Sequence, residues 1–97
     1  MRRAARVDAN HAACVRAFRN LGCSVVSLAA VGGGVPDLLV GIRGHNVLVE
    51  VKDGDKAPSR RALTAMQVEF RKTWYGTLWR VENIDDVNRI VHRYATA

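Results

Sequence analysis

Asp37, Glu50 and Lys52 have the types and spacing to hold a cation beside a phosphate. Glu50 and Lys52 lie two apart in an apolar run, residues 47–52, that reads as a β-strand. Side chains alternate along a strand, so Val47, Val49 and Val51 point one way and Leu48, Glu50 and Lys52 the other. That makes Glu50 and Lys52 neighbours on one face, ~7 Å apart along the backbone. Asp37 follows Pro36 and opens the preceding apolar run, residues 37–42. A hairpin joining the two runs through the polar turn at 43–46 brings the Asp37 carboxylate beside Glu50. Two acids and a lysine at one end of an apolar sheet are costly to bury without a purpose. A hard divalent cation supplies one, because it takes one or two carboxylates together with water and substrate phosphate. Asp37 and Glu50 would be those carboxylates, with the Val51 carbonyl as a further oxygen. Lys52 would orient an attacking water, help deprotonate it, or stabilise charge on the phosphate, and these roles stay open. It serves as a base only if its proton is loosened by burial or by the metal.

Each residue also has a plainer explanation. An Asp after Pro commonly makes a turn bond, and a Glu–Lys pair at a solvated sheet edge is an ion pair worth little. Their joint occurrence in this order favours the site.

The surrounding pattern predicts the elements that hold these residues. A first helix begins near residues 8–10, with Ala12, Val15, Phe18 and Leu21 at helical spacing and Gly22 as its stop. Residues 24–30 read as a strand that the run Gly32-Gly33-Gly34-Val35-Pro36 breaks. After the two site strands, residues 53–61 form a charged loop. Thr64 and Gln67 have the spacing of a capping box, with Leu63 and Val68 able to staple it. The helix they open runs to about Trp74. A short strand follows at 77–81. Asn83 caps a last helix with Ile84, Val87, Ile90, Val91 and Tyr94 on one face. The order α-β-β-β-α-β-α predicts a single α/β domain over residues 1–97, with a central mixed sheet flanked by helices and covered on both faces.

With 97 residues and 48% apolar content, one packed core is expected. The formal charge of +6, from 15 Lys and Arg against 9 Asp and Glu, favours polyanionic partners, nucleic acid first. No apolar run is long enough to span a membrane, and residues 1–6 are not backed by the apolar stretch of a signal peptide. A cytoplasmic protein is expected, without a membrane partner or a small-molecule organic cofactor. Cys14 and Cys23 lack metal-site spacing and read as free thiols. His11, His45 and His92 show no ligand spacing. Trp74, Tyr75 and Trp79 read as core or dimer contacts.

Pro36-Asp37, twelve intervening residues and Glu50-Val51-Lys52 resemble the PD-(D/E)XK nuclease signature. Gly34-Val35-Pro36-Asp37-Leu38-Leu39-Val40-Gly41 before it, and Leu63-Thr64 with Gln67 after it, resemble the virus-type replication-repair nuclease (VRR-NUC) branch. The likeness runs from about Asp8 to Val87. It implies a restriction-endonuclease-like core and a Mg²⁺- or Mn²⁺-dependent deoxyribonuclease. Small stand-alone members are similar to Holliday-junction resolvases and tend to be homodimers, which implies branched DNA as substrate and fits a phage origin. Carried over by position, Asp37 and Glu50 bind metal, Lys52 is the catalytic lysine and Gln67 accompanies the motif. The branch usually has a first-helix Glu at the metal. Here the nearest acid is Asp8, a shorter candidate ligand that is also a natural helix cap. Lys56, Arg60 and Arg61, in the loop after the motif, are candidates for contacting DNA phosphates, although a solvated charged loop would look the same. Two rival readings have no catalysis: a DNA-binding module that has kept the fold, and a structural or regulatory protein whose basic surface meets an acidic partner.

Overall fold

The computed structural model describes residues 9–95. The elements follow the expected order: α1 (His11–Asn20), β1 (Ser24–Ser27), β2 (Leu38–Ile42), β3 (His45–Val51), α2 (Ala65–Thr73), β4 (Leu78–Val81) and α3 (Ile84–Arg93), with a 3₁₀ turn, Pro58–Arg60, in the loop before α2. The strands form one mixed sheet in the order β1-β2-β3-β4. The first three are antiparallel neighbours and β4 runs parallel to β3.

A two-residue turn sets the register of the central hairpin. Arg43 (φ 47°) and Gly44 (φ 85°) both take positive φ, the twist that lets two antiparallel strands meet across so short a loop. β3 therefore starts at His45, two residues earlier than the polar character of 43–46 suggests. β1, by contrast, is shorter than the expected 24–30. Leu28 N–H donates to the Asp37 carbonyl at 2.7 Å, and the chain then turns to begin its return to β2. The last three residues of the apolar run are spent on that turn.

One face of the sheet carries the core. Leu38, Val40 and Ile42 of β2, Val47, Val49 and Val51 of β3, and Val81 of β4 pack with Cys14 and Phe18 of α1 and Val87 and Ile90 of α3. On α1 the buried stripe is Cys14 and Phe18, with Val15 and Ala17 partly buried. It is rotated from the expected Ala12–Leu21 stripe, and Leu21 is 45% exposed. The Cys14 thiol packs as a small apolar group; burial, then the charge of Asp86, raises its pKa to about 11. Both cysteines are buried and free.

The opposite face is only partly covered, against expectation. Leu48, Glu50 and Lys52 are buried there, but Val26 and Leu39 are exposed. α2 contributes no fully buried residue. Among the described residues no helix is long and apolar enough to cross a membrane.

Candidate active site

The site lies where the β2–β3 ladder stops. Leu38 pairs with Val49, so one step further Asp37 faces Glu50. Asp37 bridges three strands. Its main-chain carbonyl accepts from Leu28 N–H, just beyond β1, and its Oδ2 accepts from Val51 N–H of β3 at 2.7 Å. A carboxylate thus takes a strand amide that the ladder no longer serves. Pro36 explains the vacancy. Leu48 and Lys52 direct their N–H groups to β4, so the odd-numbered residues of β3 direct theirs, with their carbonyls, toward β2. Val51 would be paired with Pro36, which has no N–H to give. The Val51 carbonyl is therefore released from the ladder on the side where Asp37 and Glu50 meet.

Glu50 is 3% exposed. Its Oε2 accepts from Gln67 Nε2 at 3.0 Å. Gln67 also closes the capping box: its Oε1 accepts from Thr64 N–H at 2.9 Å, and its own N–H donates to Thr64 Oγ1 at 3.2 Å. One amide therefore fixes the start of α2 and holds the carboxylate of β3, so the capping role and the site role coexist. Burial above all pushes the Glu50 pKa from its ordinary 4.5 to about 8. The hydrogen bond and like charge of Asp37 push in the same direction, while Lys52 and Arg71 pull against them. Without a cation, Glu50 therefore keeps its proton well above the ordinary carboxylate range.

The glycine-rich segment lies against α2. Gly34 has φ 81°, and a Cβ there would stand 2.2 Å from the Met66 carbonyl oxygen. Gly34 is required both by backbone geometry and by the close approach of the two segments.

Lys52 shares the face of Glu50 and is 8% exposed. Its N–H donates to the Val81 carbonyl at 2.9 Å, and its carbonyl accepts from Asn10 Nδ2 at 3.0 Å. The same Nδ2 donates to the Glu82 carbonyl at 2.9 Å. Asn10 precedes α1 without capping it through its side chain; it clamps the ends of the two parallel strands instead. Asp8, the candidate first-helix ligand, lies outside the described residues.

The three loop cations part company. Arg60 is exposed on the 3₁₀ turn and Lys56 is half-buried. Arg61 is tied down: its Nη1 meets Glu82 Oε1 at 3.0 Å and its Nε donates to the Lys56 carbonyl. Glu82 also pairs with Arg80 at 2.9 Å. Sequence reasoning passed over Arg71, which stands one helical turn beyond Gln67 and so on the same face of α2. That spacing was the available signal.

Among the described residues no three His, Cys, Asp or Glu side chains cluster. The oxygens available at the fork are two carboxylates and, on the residue after Glu50, a carbonyl that the ladder does not engage. This sparse set suits Mg²⁺ or Mn²⁺, which keep water and substrate oxygens in their shells.

No protein-family model matches the sequence, and no curated protein matches it. A solved structure titled "VRR_NUC domain" does: the TM-score is 0.62 at 26% identity, covering 84% of this chain and 88% of that one. The match supports assigning the chain to the VRR_NUC family. In this VRR_NUC-type fold, the mixed sheet carries its acids at the fork between β2 and β3.

Proposed function

We propose that this chain is a metal-dependent DNA endonuclease that hydrolyses phosphodiester bonds at the Asp37–Glu50 fork. The observation that carries the reading is the hydrogen bond from Val51 N–H to Asp37 Oδ2, which seats Asp37 beside buried Glu50 on the face that Lys52 shares. The likeness to a VRR_NUC domain supports it, as does the net charge of +6.

Asp37, Glu50 and the Val51 carbonyl would hold Mg²⁺ or Mn²⁺. When bound, the ion lowers the pKa of a water and offsets charge on the phosphate. Asp37 orients through its bond to Val51 N–H, which fixes one carboxylate oxygen and leaves the other for the site. Glu50 is oriented by Gln67 and must lose its proton to act as a ligand. Lys52 reaches the same face and acts on the attacking water or the phosphate. Lys56 and Arg60 meet DNA phosphates outside the site, whereas Arg61 shapes the loop through Glu82. Asp8 is retained as a candidate further ligand. By resemblance, the substrate is branched DNA such as a four-way junction, the working form is a homodimer with paired sites, and the setting is cytoplasmic.

The test is incubation of purified protein with linear, flap and four-way DNA, with Mn²⁺, with EDTA, and with the Lys52→Ala variant as control. Cleavage of the four-way substrate, dependent on Mn²⁺ and absent from the variant, is expected. A non-catalytic binding module would bind DNA equally with and without the ion and never nick it.

A further inference from the structure

We propose that Arg71 is a phosphate-binding residue of this site, its guanidinium holding a non-bridging oxygen of the phosphate that the metal engages. The inference rests on the metal-site reading above and deepens it.

Arg71 lies four residues after Gln67 on α2, so the two side chains project from the same face. Gln67 reaches Glu50 Oε2 directly, and the Arg71 charge is near enough to act on the same carboxylate. Yet Arg71 does not spend its donors there. Its Nη2 is buried and has no hydrogen-bond partner. A buried, unsatisfied donor on a charged group costs free energy, and a guanidinium is built to be met by a pair of oxygens.

Charge balance indicates which oxygens. Without metal, Asp37 and Glu50 when ionised are matched by Lys52 and Arg71. A divalent cation on the carboxylates neutralises them and leaves the two side-chain cations uncompensated. The loaded site would then attract an anion, and the unpartnered Nη2 gives that anion a donor to bind. A phosphodiester offers two non-bridging oxygens, and Arg71 would hold one of them. Carried on α2 before substrate arrives, the guanidinium can also stabilise the extra negative charge that develops during attack.

The experiment compares wild type with Arg71→Ala and Arg71→Lys in three measurements. Calorimetry with Mn²⁺ alone is expected to show binding unchanged or tighter in Arg71→Ala, because a positive charge beside the carboxylates has gone. Mn²⁺-induced ³¹P relaxation of thymidine 5′-monophosphate is expected to show nucleotide affinity at the loaded site falling by about tenfold or more in Arg71→Ala. Cleavage of DNA is expected to fall by about 10²-fold or more and to be partly restored by added guanidinium, with Arg71→Lys intermediate. Loss of Mn²⁺ binding and melting temperature together, without rescue, would make Arg71 a structural prop and overturn the assignment. So would equal nucleotide affinity in wild type and Arg71→Ala, or no nucleotide binding by loaded wild type. If wild type binds nucleotide through Arg71 but never cuts DNA, the anion site stands and the nuclease reading falls. If wild type cuts and Arg71→Ala cuts equally well, the nuclease reading stands and the anion site falls.

Discussion

The two faces of β3 are both buried, but they are buried by different means. Val47, Val49 and Val51 disappear into an aliphatic core under α1 and α3. On the reverse, Leu48, Glu50 and Lys52 are also buried, and the helix that reaches this face, α2, touches Glu50 through Gln67 and has no fully buried residue of its own. Apolar contact holds the first face. The second is held at its charged end by hydrogen bonds, from Gln67 to Glu50 and from Val51 to Asp37. Packing of the first kind tolerates little change in volume. Hydrogen bonds of the second kind can be exchanged for bonds to an ion or a substrate. One strand can therefore serve as scaffold and as site because its alternation keeps the two tasks on opposite sides.

If that division is right, substitutions on the two faces should fail differently. The largest effect is expected for Lys52→Ala, which should cut Mn²⁺-dependent cleavage by about 10²–10⁴-fold while circular dichroism and DNA binding stay near wild type. Unfolding of that variant would erase the distinction between the faces. Phe18→Ala, behind the core face, should cost about 3–5 kcal/mol in urea denaturation, with activity lost only in proportion to unfolded protein. A stable but inactive Phe18→Ala would mean that the core face also tunes the chemistry.

The two faces also differ in their acid–base behaviour. Glu50 binds its proton more tightly in the folded state, with a pKa raised from 4.5 to about 8. Metal-free protein should therefore lose stability as pH rises through that interval, since the folded state holds the extra proton there. Adding Mn²⁺ should raise the melting temperature more at the upper end of the interval, because the ligand must be deprotonated. Thermal melts of wild type and Glu50→Gln at matched pH check this, and the same downward slope in the variant would take Glu50 out of the account. The smallest effect is expected for Thr64→Ala, about 1 kcal/mol from the lost cap, with a reduction in cleavage as Gln67 loses its anchor. A stability loss with wholly unchanged cleavage would show that Gln67 holds Glu50 without help from the cap.

Much of this was legible in the sequence. The pairing of Asp37 with Glu50 follows from strand alternation and a short polar turn, both local signals. The capping box at Thr64 and Gln67 was also visible, and the structure adds that its amide reaches across to β3. What the sequence hid depends on tertiary placement. Asn10 has the type of a helix cap, yet it bridges carbonyls 42 and 72 residues away. Arg61 has the look of a DNA contact, yet Glu82 occupies its guanidinium. Arg71 looks like an ordinary basic residue near a helix end until α2 is laid over Glu50. The exposure of Val26 and Leu39 was hidden for the same reason, because apolar strands do not reveal how much of a sheet a helix will roof.

Pro36 has no N–H to lend to β3. An amino acid with an ordinary amide at that position would let the two strands zip one rung further, and the Val51 oxygen would be consumed by backbone. The imino ring acts as a stop that keeps the fork from closing. A chemically inert residue thus protects the coordination geometry, and it does so without touching ion or DNA.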